Sequence, residues 1–160
     1  MLVMAFLKYR KKWNNSPETW LVCRILPMMK TIEVVAAIIF DGSHILCVQR
    51  AQSKYPYISL KYEFPGGKTE EGETQEEALL REIHEELSMR IDVGEKFMTV
   101  DHNYPDFSIV MHSYICHVTS RDLVLHEHVD AVWLDVAEMK ELDWAAADIP
   151  IVEKLMQENI

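Results

Sequence analysis

The sequence predicts an α+β fold in which helices cover a mixed β-sheet. Two observations carry this prediction. Short β-type patterns occupy the chain on both sides of one long helical pattern, and a second helical pattern closes it. A chain of 160 residues, 49% of them apolar, is large enough for one domain with a real core. We therefore expect one folded domain over residues 29–160.

The first 28 residues are expected to lie outside that domain. Their apolar stretch, residues 1–7, is too short to span a membrane, and the basic residues follow it instead of preceding it, unlike in a secretory signal. Met29 precedes the first clear strand pattern. Residues 1–28 are thus predicted to be a poorly ordered N-terminal extension.

The strand patterns alternate with turns and loops. Residues 32–40 are almost continuously apolar, which is typical of a central strand buried on both faces. Asp41-Gly42 is a strong hairpin-turn dipeptide that returns the chain into the next strand. In chain order, strands are predicted over residues 32–40, 45–48, 62–64, 97–100, 107–118 and 129–134. A short helix is predicted from residue 135 to about 142 and a last one from 151 to about 157.

The long helix has the clearest sequence signal. Thr74 is a good N-cap residue, and Glu77 three positions later completes a capping box. Apolar residues then recur with helical spacing through residue 87, and this stripe should face the core. Its members are Leu79, Leu80, Ile83 and Leu87.

Three carboxylates share a second face of this helix. Glu82, Glu85 and Glu86 have the spacing i, i+3, i+4, so their charges repel one another. One interpretation is a solvated acidic face. The other is a cation site, for which Mg²⁺ is the natural occupant because it binds through carboxylates together with substrate phosphates.

The segment from the preceding loop through the helix resembles the Nudix box, written G-x5-E-x7-R-E-U-x-E-E-x-G-U with U bulky and apolar. The matching positions here are Gly67, Glu73, Arg81, Glu82, Ile83, Glu85, Glu86 and Met89. One position departs from the pattern, because Ser88 stands where the family has glycine. Glycine is favoured at a helix C-terminus because it accepts positive φ, so the departure should affect local stability more than chemistry.

This resemblance, over about residues 31–157, implies a Nudix α/β/α sandwich that hydrolyses a nucleoside diphosphate derivative with Mg²⁺ or Mn²⁺. It implies that Glu82, Glu85, Glu86 and the carbonyl of Gly66 bind the metal. Arg81 and Glu73 are interpreted as a pair in which Arg81 orients a neighbouring glutamate, the alternative being a plain surface ion pair. The general base is left open between Glu82 and Glu127, which lies in a loop where MutT-like members carry a glutamate.

Three further residues are similar to those of the MutT-like branch, whose bacterial members include CTP and oxidised-dGTP pyrophosphohydrolases. Arg50 ends a strand where those enzymes place a phosphate-contacting arginine, although an exposed arginine is the alternative. Asp148 lies in a turn that resembles their base-reading turn, with backbone near Phe64 assisting. Asp148 is also a plausible helix N-cap. The expected reaction releases pyrophosphate from CTP, dCTP or oxidised dGTP. The alternatives are ADP-ribose or dinucleoside polyphosphate hydrolysis, or a catalytically silent nucleotide-binding regulator.

Net charge and cysteine content restrict the classes of binding partner and the cellular compartment that we expect. A net charge of −10 argues against a general binder of nucleic-acid polymers or anionic membranes, which would need a basic surface. The three cysteines, Cys23, Cys47 and Cys116, lack metal-type spacing, and the last two lie in apolar runs. We therefore expect free thiols, a cytoplasmic protein, and a monomer or weak homodimer.

Overall fold

The computed structural model describes residues 30–158, so the extension expected over residues 1–28 lies outside the described part of the chain. The elements are, in order, β1 Thr31–Asp41, β2 His44–Arg50, β3 Tyr62–Glu63, α1 Gln75–Leu87, β4 Asp92–Asn103, β5 Ser108–His117, β6 His128–Asp135, a 3-10 helix Val136–Glu141, and α2 Ile149–Glu158. Within residues 30–158, no helix is both long enough and apolar enough to cross a bilayer.

The six strands form one mixed sheet, as the sequence predicts. Its main order is β3-β2-β1-β5-β4, and β6 pairs along β2. β1 runs parallel to β5 from Thr31 to Phe40, whereas the other pairs are antiparallel. β1 and β2 pair only next to their hairpin, so the two strands diverge beyond it.

Alternate residues of β1 supply two cores, one on each face of the sheet. Val35, Ala37 and Ile39 belong to the core that contains the buried residues of α1. Ala36, Ile38 and Phe40 belong to the core under the 3-10 helix and α2. This arrangement is an α/β/α sandwich, and it explains why residues 32–40 are apolar at every position.

The helix α1 begins and ends as the sequence predicts. Thr74 and Glu77 form the capping box, and Ser88 adopts the left-handed conformation with φ +54°. The prediction that the whole stripe faces the core is wrong for one residue, Leu80, which is 46% exposed. The buried face is turned towards Glu86, which is 7% exposed, because the helix packs this carboxylate against the loop that precedes it.

Two predicted elements differ from the structure. β4 begins at Asp92 and not at residue 97. The sequence pattern misses its first residues because they are mostly polar and lie on a strand that, within residues 30–158, pairs with β5 alone. Register shifts between Val93 and Met98 further obscure its alternation. The short helix after β6 is a 3-10 helix with the expected capping box at Asp135 and Glu138.

Candidate active site

The loop after β3 is held in the space that opens between β1 and β2. Its Pro65 and Gly67 carbonyls accept hydrogen bonds from Ala37 N and Val35 N, both at 2.8 Å. Gly66 lies between them with φ +145°, and a Cβ there would overlap the carbonyl oxygen of Val35. Only glycine fits this combination of positive φ and close backbone approach.

The next glycine makes room for a carboxylate. A Cβ added to Gly67 would occupy the space of the Glu82 carboxyl group, which therefore lies directly against the loop backbone. The Glu82 side chain is largely buried as a result. The two glycines thus serve different purposes: Gly66 fits the loop against β1, and Gly67 admits a helix carboxylate.

Arg81 connects the loop to the carboxylates of α1. Its Nε and Nη2 donate to Glu73 at 3.1 and 2.7 Å, and Nη1 donates to Glu82 at 2.9 Å and to Glu85 at 3.2 Å. Nη2 also donates to the carbonyl of Lys68 at 3.0 Å. The predicted pair of Arg81 and Glu73 is therefore present within a larger network that holds two helix carboxylates.

Glu86 is the most deeply buried of the three helix carboxylates. Its Oε2 accepts a hydrogen bond from Gly66 N at 3.1 Å. Burial raises the pKa of Glu86 to about 7, against the lowering effects of His128 and the Gly66 N–H, and the neighbouring Glu63 and Glu82 raise it further. A carboxylate in this position gains most from a nearby cation.

One cavity of about 940 Å³ brings the predicted site residues together. Its lining includes Arg50, Phe64, Gly66, Arg81, Glu82, Glu85, Glu86, Glu127 and Asp148. Glu73 is the exception, since it does not line the cavity but binds Arg81. Residues far apart in sequence thus meet because β2, the loop, α1 and the start of α2 converge here.

Asp148 contacts the loop instead of capping α2. Its Oδ1 accepts a hydrogen bond from Phe64 N at 3.0 Å, while its backbone carbonyl accepts from Ile151 N and Val152 N. Among the described residues its carboxylate has no hydrogen bond to an N–H of the helix, so the expected side-chain cap is wrong. Burial, with a smaller effect of Glu63, raises the pKa of Asp148 to about 8.

Sequence reasoning missed an aromatic wall of the same cavity. Tyr55, Tyr104 and Phe107 line it. The ring of Phe107 packs against both tyrosines, with centroid distances of 5.5 Å to Tyr55 and 5.1 Å to Tyr104. Tyr57 stacks on Tyr104 and donates to Asp106 at 2.7 Å, which ties the two loops together. These residues come from separate loops and have no periodic pattern, so only the fold reveals the wall.

The donor set of this cavity fits a hard divalent cation. Carboxylates and a backbone carbonyl are the oxygen ligands that Mg²⁺ and Mn²⁺ take, and Glu86 lacks a cationic partner of its own among the described salt bridges. Within residues 30–158, however, no three acidic, imidazole or thiol groups converge at ligand distance as they stand. Glu82 and Glu85 each give one oxygen to Arg81, and among the described residues the other oxygen of each has no hydrogen-bond partner and is available to a metal ion.

Several known proteins resemble this chain in sequence and in fold. Residues 30–155 match the family model described as the NUDIX domain. A CTP pyrophosphohydrolase of Escherichia coli K12 is 40% identical over 131 residues, which cover 80% of this chain and 93% of that protein. A putative 8-oxo-dGTP diphosphatase 2 of Mycobacterium tuberculosis is 31% identical over 116 residues, which cover 72% of this chain and 81% of that protein. The solution structure of a MutT protein from Staphylococcus aureus superposes with a TM-score of 0.64 at 42% identity, covering 82% of this chain and 99% of that one.

Proposed function

The chain belongs to the Nudix family, and on that premise we propose that it hydrolyses nucleoside triphosphates of the CTP, dCTP or oxidised dGTP type to the monophosphate and pyrophosphate. The observation that carries the proposal is that Glu82, Glu85 and Glu86 of α1 line the same cavity as Arg50 and Asp148. Such an enzyme removes unwanted nucleotides from the pool. The printed activities of the two relatives support this substrate class.

We propose Glu82, Glu85, Glu86 and the carbonyl of Gly66 as the ligands of Mg²⁺, with Mn²⁺ as a substitute. A bound divalent cation would neutralise charge on the phosphates and lower the pKa of water. Arg81 holds one oxygen of Glu82 and one of Glu85, and Arg81 is itself fixed by Glu73. The proposed role of Arg81 is therefore to position the ligands.

Two carboxylates are available to take a proton from the attacking water. Glu82 lies against Gly67 at the centre of the cluster, and Glu127 is an exposed residue of the cavity lining. Glu127→Gln separates the two candidates. A loss of turnover of about a hundredfold or more would assign Glu127 as the base, whereas near-normal turnover would leave Glu82.

Arg50 and Asp148 are proposed to contact the two ends of the substrate. Arg50 is a cation on the cavity wall and suits a phosphate oxygen. Asp148 lies deeper, beside Phe64, where a raised pKa favours the neutral acid near pH 7. A neutral carboxylic acid both donates and accepts, so it can pair with the N3 and N4 edge of cytosine or with an oxidised guanine.

A nucleotide panel with Mg²⁺ tests the proposed function. We expect CTP, dCTP or 8-oxo-dGTP to give monophosphate and pyrophosphate in equal amounts, with no turnover after metal chelation. ADP-ribose and diadenosine tetraphosphate belong in the same panel. Preferred cleavage of either would replace the proposed substrate class. Binding of nucleotide without any product would instead indicate a silent regulator.

Asp148→Ala tests the base contact. The variant removes both the donor and the acceptor that a neutral carboxylic acid offers to a base, together with the partner of Phe64 N. We expect the ratio of kcat/KM for CTP to that for UTP to fall by about tenfold or more, because N3 and the amine of cytosine then lose their partner. An unchanged ranking across the panel would remove Asp148 from base recognition.

The cellular location, the oligomeric state and the domain bounds of the protein are also proposals. A cytoplasmic location is supported by the buried free thiols Cys47 and Cys116. A monomer or weak homodimer and a domain over residues 29–160 remain predictions, which sedimentation and limited proteolysis can test.

A further inference from the structure

A histidine beside the cavity is not explained by the proposed reaction. His128, at the start of β6, has a side chain that is only 4% exposed. Its Nε2 lies 3.2 Å from Oε1 of Glu63, and its Nδ1 is buried without a hydrogen-bond partner among the described residues. The contact with Glu63 is therefore the single polar link of this ring, and Nε2 carries the donated proton.

A β-bulge places His128 in this position. Along β2 and β6, Gln49 pairs with Asp130, so a regular ladder would set Val129 opposite Arg50. The register shifts at this point, and His128 pairs with Arg50 instead. Val129 is left 55% exposed. The bulge thus exchanges a valine for a histidine opposite Arg50, and bulges near active sites commonly re-aim a side chain in this way.

The same pairing puts Glu63 beside both residues. Glu63 of β3 pairs with Val48 of β2, and Arg50 follows Val48 by two positions, so both side chains lie on one face of the sheet. Arg50 Nε and Nη2 each lie 2.8 Å from Oε2 of Glu63. Glu63 therefore uses one oxygen for Arg50 and the other for His128.

We propose that His128 is a positioning residue that fixes Arg50 for substrate binding through the carboxylate of Glu63. The Arg50 side chain is 43% exposed and long, so a single ion pair would leave it several rotamers. His128 holds the carboxylate plane from the buried side, and the guanidinium then presents its remaining N–H groups to the cavity. The inference rests on the proposed function only in taking Arg50 as a contact of the substrate phosphates.

Steady-state kinetics on four variants test this connection. His128→Leu removes the donor, and His128→Gln places an amide nitrogen near the position of Nε2. We expect H128L to raise KM for the preferred nucleotide by about tenfold with kcat changed less than threefold, because an aligned phosphate contact is lost in substrate and transition state alike. H128Q should restore KM to within about threefold of the wild type. In the Arg50→Ala background, H128L should add less than about twofold.

A readout that needs no turnover separates this proposal from the proposed function. The Arg50 Nε–H proton should give a slowly exchanging NMR signal in the wild type and in H128Q, and the signal should be lost or shifted in H128L. His126→Leu is the matched control, since His126 is exposed and two residues away, and among the described residues its side chain is hydrogen-bonded to Ser88 Oγ alone. It should leave both the signal and KM unchanged.

Three results would overturn the positioning role of His128, and a fourth would separate that role from the proposed function. An Arg50 signal that H128L leaves unchanged overturns the positioning role whatever the enzyme hydrolyses. Independent, multiplying effects of H128L and Arg50→Ala on KM overturn it as well, as does an H128Q variant no better than H128L. Loss and rescue of the signal in a protein that cleaves no nucleotide would refute the proposed function and support the positioning role.

Discussion

Substituting alanine at Gly67 should abolish most activity without unfolding the protein. Gly67 does not have a positive φ, so an alanine fits its backbone. The added Cβ would instead meet the carboxyl group of Glu82. That group must retreat by about 1 Å to reach ordinary van der Waals distance, and a misplacement of this size at a reacting centre costs about a hundredfold in rate.

The matched control is alanine at Gly42. This glycine, in the turn between β1 and β2, has φ +63° and open space where a Cβ would lie. Gly42→Ala should therefore lose about 1 kcal/mol of stability through backbone strain and keep its activity. Gly67→Ala should show the opposite pattern, with a melting temperature close to that of the wild type.

Two assays on both variants decide the matter. The first is kcat as a function of Mg²⁺ concentration, for which Gly67→Ala should need at least about tenfold more metal for half-maximal rate. The second is a thermal melt. If Gly67→Ala kept kcat within about threefold of the wild type, Glu82 could not be a ligand or base that requires its present position. If its melting temperature fell by 10 °C or so, the loss of activity would report unfolding instead.

Three further predictions concern single side chains. Glu86→Gln should lower kcat by about 10³-fold or more with the fold retained, and more than a tenth of wild-type activity at saturating Mg²⁺ would contradict its role as a ligand. Ser88→Gly should raise the melting temperature by about 2–4 °C, because a φ of +54° strains serine by about 1 kcal/mol. The hydrogen bond between Ser88 Oγ and His126 offsets part of this strain, and a lowered melting temperature would show that the bond outweighs it. The pKa of Asp148 is raised from an ordinary 3.8 to about 8 in the folded protein, so between these pH values the folded state binds more protons than the unfolded state. The contribution of Asp148 to the free energy of unfolding therefore falls as pH rises from about 4 to 8, by at most about 1.4 kcal/mol per pH unit. Denaturant unfolding at pH 5 and pH 8 should therefore show Asp148→Asn gaining stability relative to the wild type at the higher pH, and a constant difference would mean that Asp148 titrates normally.

The sequence by itself determined the elements that rest on local patterns. The capping box of Thr74 and Glu77 fixed the start of α1, and the uninterrupted apolar run of β1 indicated a strand buried on both faces. The spacing of the three glutamates placed them on one face of α1, whereas the chemistry was predicted from the resemblance of this motif to the Nudix box. The capping box, the strand and the shared helix face need only the periods of the two regular structures and the conformational preferences of single residues, which short stretches of sequence carry.

Other features depended on contacts between residues distant in sequence, and only the tertiary structure decided them. Leu80 has the right spacing for the core but is exposed, because the packing of Glu86 against Gly66 rotates the buried face of α1. In the described part of the chain the Asp148 carboxylate does not cap α2, since it accepts a hydrogen bond from Phe64 N of the loop instead. The residue of β6 that lies opposite Arg50 was set by a one-residue register shift, which brings in His128. A strand pattern cannot reveal such a shift, because the pairing of two strands depends on how both fit the cores on either side of the sheet.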